Sequence, residues 1–328
     1  MRIIWIDTIR GIAMMAILLF HTEVYCTGQG IIPYHLYVTN ALIAFFFVSG
    51  YLFQHPNKDF SIQRKLKTIL QKLVIPYFIF TLLLAVPKAW VHDDMSFADV
   101  LLSILTGKAS WFVATLILAE ILFAVILYFY QHKERKIFIF STLPYLLIAA
   151  AYHFLSSETL AYYNLWCWQN ALLILPFVYM GYYFRNNCQL FEKLTARKVI
   201  LLLFITVVIL KYWEYKNNLF LTMEPIIVSS FFILLIDGVI TTLLLVSICK
   251  IIPNILPVTW TGSHSLVYYF FCGAVPTAVS MGLNRIGFVY NGQYWYIIVA
   301  FLLVYLISTL ITWVVYRLTN LSTKKLIN

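Results

Sequence analysis

Residues 110–130 have the sequence SWFVATLILAEILFAVILYFY, in which Glu120 is the only charged side chain. A helix needs about 20 apolar residues to cross the hydrocarbon core of a bilayer, and this stretch supplies them. Comparable runs recur along the rest of the chain. Outer-membrane barrels instead show alternating segments of about 10 residues, a pattern that this sequence lacks. The stretch therefore indicates a helical membrane protein.

The composition of the 328-residue chain supports this class. Hydrophobic residues make up 62% and charged residues 11%, and the mean hydropathy is +0.86. A typical soluble domain is about half apolar and about one quarter charged, so a soluble fold could not cover this much apolar surface. Disordered chains need low hydrophobicity and are excluded by the same numbers. The five cysteines are odd in number and lie mostly in apolar runs, which indicates no disulfide framework.

About ten spans are predicted, which makes the chain an all-α, polytopic transmembrane helical bundle with a single domain over residues 1–328. The predicted spans are 3–24, 37–54, 69–91, 110–130, 137–155, 166–185, 198–213, 226–250, 263–283 and 293–317. Interfacial helices are expected at 58–68 and 96–106. The first run contains charged residues and no small-residue cleavage site follows it, so we interpret it as a retained span and not a signal peptide.

The chain has 23 Lys and Arg against 13 Asp and Glu, a net charge of +10. The predicted loops divide these basic residues into 17 on one side of the membrane and 5 on the other, with Arg10 inside the first span. The positive-inside rule then places the richer side, and both termini, in the cytoplasm. Such an excess in a soluble protein would suggest nucleic acid. Here topology explains it, and no nucleic-acid partner is expected.

The first span is the most informative because it contains Asp7, Arg10 and His21. Ionisable residues inside a membrane are costly and mark functional sites by default. Asp7 and Arg10 are three residues apart and therefore neighbours that can pair. Arg10 and His21 are eleven residues apart, close to three whole turns, so they face the same way about 16 Å apart along the axis. Arg10 could instead snorkel to the interface, and His21 could form an inter-helix hydrogen bond.

Other polar residues within spans are less specific. Glu120 and Asp237 could form a proton path, hydrogen bonds between helices, or a pair with each other. Asn40, Gln169 and Asn170 add uncharged polarity. His264 is predicted on the cytoplasmic side, where it could meet a phosphate. No spacing of His, Cys and Asp resembles a metal site, and no phosphate-binding glycine loop or nucleophile elbow is present.

The first span, with Asp-Thr-Ile-Arg-Gly-Ile-Ala at 7–13 and then His21, resembles the opening of the acyltransferase 3 family of integral-membrane acyltransferases. The hallmark of that family is Arg or Lys, ten residues, then His. Four further segments resemble its motifs in the same order: Phe-Phe-Phe-Val-Ser-Gly-Tyr-Leu-Phe at 45–53, Arg-Lys-Leu-Lys at 64–67 leading to Ile-Pro-Tyr-Phe at 75–78, Ser-Trp-Phe at 110–112, and Gly-Ser-His-Ser-Leu-Val-Tyr at 262–268.

Two departures from the family pattern stand out. Many relatives carry a second His shortly after the last motif, where this chain has Tyr269-Phe270-Phe271-Cys272. No fused extracellular hydrolase-like domain, which some relatives have, is expected. The resemblance implies transfer of an acyl group, usually acetyl, from cytoplasmic acyl-CoA to a carbohydrate hydroxyl of a surface polysaccharide, a lipid-linked precursor, peptidoglycan or a glycolipid. It also implies a location in the plasma (inner) membrane.

This reaction suits the polar residues. Arginine binds phosphate well, so Arg10 is predicted to bind the CoA phosphates, together with the basic residues Arg64, Lys65, Lys67 and Lys72. His21 is predicted to act as general base or as a transient acyl carrier. Asn40 is predicted to orient His21 or to hold the thioester oxygen. Glu23 could orient His21 only if the helix ended there.

Several supporting roles stay open. Asp7, Ser49 and Glu120 are predicted to support the site. Trp111 is predicted either to stack on the acceptor sugar or to belong to the interfacial aromatic belt. Acyl-CoA is expected as a substrate, with no bound cofactor and no metal ion. Two competing hypotheses are a transporter or flippase for a glycan precursor or small solute, with Arg10, Glu120 and Asp237 as pathway charges, and a non-catalytic member of a glycan-export complex.

Overall fold

The computed structural model describes residues 3–53, 60–86, 96–155, 160 and 163–325. The helices, in chain order, are α1 Ile4–Thr27, α2 Tyr34–Tyr51, α3 Ile62–Ile69, α4 Ile75–Leu83, α5 Phe97–Leu105, α6 Trp111–Tyr130, α7 Glu134–Phe154, α8 Trp168–Asn186, α9 Cys188–Leu194, α10 Arg197–Lys216, α11 Phe231–Ile251, α12 Leu256–Ser263, α13 Ser265–Phe271, α14 Ala274–Arg285 and α15 Tyr294–Lys325. A two-stranded antiparallel hairpin, β1 Leu221–Met223 and β2 Ile226–Val228, separates α10 from α11. The predicted all-α bundle is confirmed.

Two compact units make up the chain. The first consists of Met1–Ala41 and Cys249–Asn328, and the second of Leu42–Ile248. In the first unit α1 packs against α12, α13, α14 and α15. In the second, α8 packs against α7 and α6, and α6 packs against α3. Since the first unit contains both ends of the chain, the division does not cut the sequence into successive domains.

The number of helices able to cross a membrane is smaller than predicted. Among the described residues, six helical stretches are long and apolar enough: Ile4–Thr27, Ile62–Leu83, Lys108–Tyr130, Glu134–Phe154, Phe231–Ile251 and Tyr294–Thr319. The pair α13 and α14, bent by 49°, makes seven if it is one broken span. The predicted count of ten is not confirmed. The other three predicted spans coincide with α2, α8 and α10, which are helical but more polar, so their crossing stays a prediction.

Several predicted boundaries are wrong, and the end of the last span is one of them, because α15 continues to Lys325 and not to residue 317. The expected break between an interfacial helix at 58–68 and a span at 69–91 is absent, because a π-helical turn at Leu70–Val74 joins α3 to α4. The expected span 226–250 begins as a strand, and its helix starts only at Phe231. The expected span 263–283 is broken between Phe271 and Ala274. The end of span 69–91 beyond residue 86 and the start of segment 58–68 lie outside the described residues.

The predicted short helix at 96–106 is confirmed as α5. Ser96 and Asp99 form a capping box, in which the Ser96 hydroxyl accepts from the Asp99 amide and the Asp99 carboxylate accepts from the Ser96 amide. This arrangement satisfies amide groups that have no partner in the first turn of a helix. The hydrogen bonds from Ser96 also lower the pKa of Asp99.

Two glycines bring α1 and α12 into backbone contact in the first unit. A Cβ atom on Gly11 would lie 2.0 Å from the carbonyl oxygen of Val258, and one on Gly262 would lie 1.7 Å from that of Asp7. Neither position tolerates a side chain unless the helices separate. Gly262 opens the last of the family-like motifs, and this close approach gives that glycine a physical role.

Gly262→Ala is therefore expected to destabilise the folded protein by at least about 1–3 kcal/mol, the usual cost of overpacking. The measurement is the apparent melting temperature and the monodisperse fraction of protein purified in detergent. Gly282→Ala in α14 is the matched control, because a Cβ atom there meets nothing within 4 Å. Equal melting temperatures for the Gly262 and Gly282 variants would contradict the packing argument.

Candidate active site

The unbroken helix α1 positions the three ionisable residues of the first motif. It runs from Ile4 to Thr27 without a kink, so Asp7, Arg10 and His21 stay on one face, with Arg10 and His21 about 16 Å apart along the axis. Asp7 is buried, with 7% of its surface exposed, whereas Arg10 and His21 are partly exposed. One rigid element therefore holds a cation and an imidazole at a fixed separation.

The His21 ring packs between aromatic neighbours of its own helix. It lies 5.8 Å from the Phe20 ring, edge to face, and 6.1 Å from the Tyr25 ring in a stacked arrangement. Tyr25 is anchored in turn, since its carbonyl oxygen accepts from the Ser280 hydroxyl of α14 at 2.8 Å. Within the described part of the chain no hydrogen bond to the His21 ring is found. The ring nitrogens are therefore not committed to a structural partner there.

Asn40 belongs to the same unit and is 2% exposed. Neither atom of its side-chain amide has a hydrogen-bond partner among the described residues. The predicted hydrogen bond that would let Asn40 orient His21 is thus not formed in this structure. A buried amide without partners is costly, and such groups are typical of sites that a ligand completes.

Glu23 organises the loop between α1 and α2. Because α1 continues to Thr27, Glu23 faces away from His21, and its carboxylate accepts from the backbone amides of Ile31 at 2.9 Å and Ile32 at 3.1 Å. The condition under which Glu23 could orient His21, an earlier helix end, is not met. The residue instead fixes the entry into α2, the helix that carries Asn40.

A buried polar cluster in the second unit joins three of the predicted site residues. The Ser49 hydroxyl donates to one oxygen of Glu120, and the Lys65 ammonium lies 2.9 Å from the other. Lys65 also sits 3.7 Å above the ring of Phe53, and its side chain is only 12% exposed. Its charge is thus neutralised inside the unit. Arg64 and Lys67 on the same helix have exposed side chains, as does Lys72 in the following turn.

A second buried cluster was not foreseen. Lys211 of α10 lies 2.7 Å from Asp237 of α11 and 3.0 Å from Glu214, and both carboxylates are fully buried. Asp237 and Glu120 therefore pair with lysines and not with each other. Lys211 is one of the five basic residues that the sequence places on the second side of the membrane, near the end of the predicted span 198–213, whereas α10 continues to Lys216. The i,i+3 spacing of Lys211 and Glu214 is the sequence pattern that indicates this ion pair.

Gln169 and Asn170 are fully buried at the start of α8. Their side chains form hydrogen bonds with the β1–β2 hairpin and with neighbouring segments. Asn170 donates to the Met223 carbonyl of β1 and accepts from Asn164 at 2.7 Å, and Gln169 accepts from the Tyr152 hydroxyl at 2.7 Å. Burial raises the pKa of the adjacent Glu224, against the lowering effect of its hydrogen bond from Asn170. These amides therefore form part of the scaffold on the predicted outer side.

Trp111 and His264 each pack against aromatic side chains. Trp111 is partly exposed at the start of α6 and meets the Phe112 ring edge to face at 6.0 Å, which leaves both of its predicted roles open. His264 packs against Trp260 with ring centroids 4.5 Å apart and the planes tilted by 32°, and it meets the Tyr316 ring edge to face at 5.0 Å. Its Nδ1 atom lies 2.9 Å from the Trp260 carbonyl oxygen. His264 is thus held between the aromatic rings of Trp260 and Tyr316 in the first unit.

These features define a multi-pass membrane protein whose first helix carries an aligned cation and imidazole. The chain matches the family model described as an acyltransferase domain over residues 3–317. It therefore belongs to the acyltransferase 3 family and is a membrane acyltransferase. No curated protein and no solved structure matches the chain.

Proposed function

We propose that the protein is an O-acyltransferase of the plasma (inner) membrane that moves an acyl group, acetyl in the simplest case, from cytoplasmic acyl-CoA to a hydroxyl of a cell-surface or lipid-linked carbohydrate. Membership of the acyltransferase family supports the reaction type. The observation that carries the assignment of residues is the unbroken helix α1, with Arg10 and His21 on one face. Acyl-CoA is a substrate in this proposal, and no resident cofactor or metal ion is assigned.

The donor phosphates are assigned to Arg10. A guanidinium offers several donors in a planar fork that matches phosphate oxygens, and its charge persists at every physiological pH. Arg10 is partly exposed, so a phosphate can reach it without full burial of the ion pair. The exposed Arg64 and Lys67 are assigned a weaker role, in which their charge attracts the anionic donor toward the cytoplasmic surface.

His21 is assigned to the transfer step, for which two routes are open. As a general base, its imidazole takes the hydroxyl proton while the sugar oxygen bonds to the thioester carbon; the C–S bond then breaks and the CoA thiolate takes the proton. As an acyl carrier, its nitrogen bonds to the carbonyl carbon and the C–S bond breaks, so that CoA leaves as the thiolate. The sugar oxygen then bonds to the same carbon, the C–N bond breaks, and the hydroxyl proton passes to the released imidazole. Both routes need a ring nitrogen without a structural partner, which agrees with the surroundings of His21 described above.

Asn40 is proposed to donate to the thioester oxygen as negative charge develops on it. Its buried amide has no partner among the described residues, and a preorganised donor of this kind stabilises a tetrahedral intermediate. Trp111, on the predicted outer side, is proposed to stack on the acceptor sugar. Ser49, Glu120 and Lys65 support the fold of the second unit through their buried contacts.

The decisive experiment offers the purified, lipid-reconstituted protein labelled acetyl-CoA together with extracts of cell-envelope glycans. An acyltransferase consumes the donor, releases free CoA and labels the glycan. A transporter or a non-catalytic partner leaves acetyl-CoA intact, and that result would remove the proposal. Succinyl-CoA in a parallel reaction tests whether another short acyl group is the natural one.

Arg10→Gln is expected to raise KM for acetyl-CoA by about 10- to 100-fold, because a hydrogen bond to a charged group is worth about 1.5–3 kcal/mol. The kcat should change less, since the phosphates lie far from the reacting carbon. Arg135→Gln, which removes an exposed arginine of α7, is the matched control and should behave as wild type. A variant of Arg10 in which only the acceptor KM changed would show that this role is misassigned.

A further inference from the structure

The continuous helical stretch Ile62–Leu83 presents one exposed row of side chains at every fourth position. The members of this exposed row are Gln63, Lys67, Gln71, Ile75, Ile79 and Leu83. A four-residue step drifts around a regular α-helix by about 40°, and the wider π-helical turn at Leu70–Val74 offsets part of that drift. The exposed row therefore marks one side of the helix that the described part of the chain leaves uncovered.

The opposite side of the same stretch is packed into the second unit. Ile69 and Tyr77 are buried, and the Tyr77 hydroxyl donates to the Ile104 carbonyl oxygen at 2.8 Å. Lys65, four residues before Ile69, pairs with Glu120 at 2.9 Å. These contacts fix the rotation of the helix about its own axis, so the exposed row is held facing outward.

The exposed row is polar up to Gln71 and apolar from Ile75 onward. Its polar half is accompanied by three basic residues with exposed side chains, which we call the basic strip: Arg64, Lys67 and Lys72. Within the described residues their charged groups take part in no ion pair. The strip extends over eight residue steps, about 12 Å along the axis. Positive charges that give way to exposed apolar side chains are typical of a helix that enters a bilayer through its headgroup layer.

The start of α3 concentrates positive charge without an acid to balance it. Arg64 and Lys67 lie in its first two turns, and its first turn contains no acidic side chain. The helix dipole makes this end positive and favours an anion there. An anionic ligand beside the basic strip would therefore be stabilised by the side-chain charges and by the helix dipole together.

We propose that the basic strip binds the phosphate of an anionic phospholipid in the predicted cytoplasmic leaflet, with the acyl chains of that lipid along Ile75, Ile79 and Leu83. Charge complementarity selects an anionic headgroup. The apolar half of the exposed row selects a lipid, because a water-soluble anion would leave that half uncovered. The acyl donor also carries phosphates, but the attraction assigned to it above acts at long range, whereas the lipid is held by contact.

The test replaces Gln71, in the exposed row beside Lys72, with the photoreactive residue p-benzoylphenylalanine. The full chain is reconstituted into vesicles of equal parts phosphatidylglycerol and phosphatidylcholine with identical acyl chains. Mass spectrometry after illumination gives the ratio of the two captured lipids, in which phosphatidylglycerol should dominate. Neutralising the whole basic strip with Arg64→Gln, Lys67→Gln and Lys72→Gln should lower this ratio by about 100-fold, and Lys72→Gln alone by about fivefold, because each basic residue near an anionic surface contributes about that factor.

Two control variants separate this site from surface charge in general. Lys133→Gln, Arg135→Gln and Lys136→Gln together remove three exposed charges at the start of α7 and should leave the ratio unchanged. Lys67→Arg with Lys72→Arg keeps the charges of the basic strip and should keep the ratio.

Equal capture of the two lipids by the protein with an intact basic strip would overturn the proposal, as would an equal fall of the ratio in the α7 variant. Isotope-labelled coenzyme A is added in a parallel illumination. Its capture in place of phosphatidylglycerol would also overturn the proposal, since a soluble nucleotide would then occupy the strip.

Discussion

His21→Ala is expected to abolish acyl transfer while the protein stays folded and still binds its donor. A positioned general base contributes about 10² to 10⁴ in rate, and loss of a covalent carrier removes the route altogether. The kcat should therefore fall by at least about 100-fold. Because His21 has no hydrogen bond to other described residues and packs only through its ring, its removal should cost little stability.

The measurement is the rate at which reconstituted protein releases CoA thiol in the presence of an acceptor glycan. Competition by adenosine 3′,5′-bisphosphate gives donor binding separately. His153→Ala, at an exposed position near the end of α7, controls for the loss of any histidine. Undiminished turnover in the His21 variant would remove the central assignment of the site.

Release of CoA by the reconstituted wild-type protein in the absence of acceptor distinguishes the two routes open to His21. An acyl carrier releases one equivalent of CoA per protein when no acceptor is present, because the first half of the reaction needs only the donor. A general base releases none until the acceptor arrives. The His21 variant should lack the first behaviour whichever route the wild type uses.

Local sequence patterns were sufficient to predict most helices. Apolar runs and their lengths located α6, α7 and the start of α15 to within a few residues, since a long hydrophobic helix depends little on distant contacts. The same rules missed the β1–β2 hairpin. Its strands are three residues long, and Asn170, more than fifty residues earlier in the chain, bonds to Met223 of β1. Hydropathy carries no information about a partner of that kind.

The candidate site divides in the same way: features within one helix were predicted, and contacts between helices were not. The alignment of Arg10 and His21 depends only on the period of one helix, so their spacing predicted it. The partner of Glu120 is Lys65, fifty-five positions away in sequence, and the close contact between α1 and α12 brings Asp7 next to Gly262. These contacts depend on how helices pack. The short helix α12, which carries Trp260, lies in a stretch that the sequence placed between two spans.

The buried cluster around Lys211 supplies the largest expected effect on stability. Its ammonium lies 2.7 Å from Asp237 and 3.0 Å from Glu214, and the Thr241 hydroxyl donates to Asp237 at 2.9 Å. Lys211→Met would leave two fully buried carboxylates without their cation. Breaking a buried ion pair by removal of one partner costs about 3–5 kcal/mol, because the remaining charge is uncompensated. The variant should therefore lose several kcal/mol of unfolding free energy, which is a large part of what a folded protein has.

Neutral replacement of the whole cluster distinguishes this electrostatic cause from a loss of packing. The triple variant Lys211→Met, Glu214→Gln, Asp237→Asn keeps the side-chain volumes and removes all three charges, so it should recover most of the stability that Lys211→Met loses. Lys211→Arg, which keeps the charge, should stay closer to wild type than Lys211→Met. The apparent melting temperature and the loss of monodisperse protein on heating compare the four proteins under identical lipid and salt conditions. A triple variant as unstable as Lys211→Met would show that the contribution of Lys211 is its packing, since removal of the two carboxylates would then have relieved nothing.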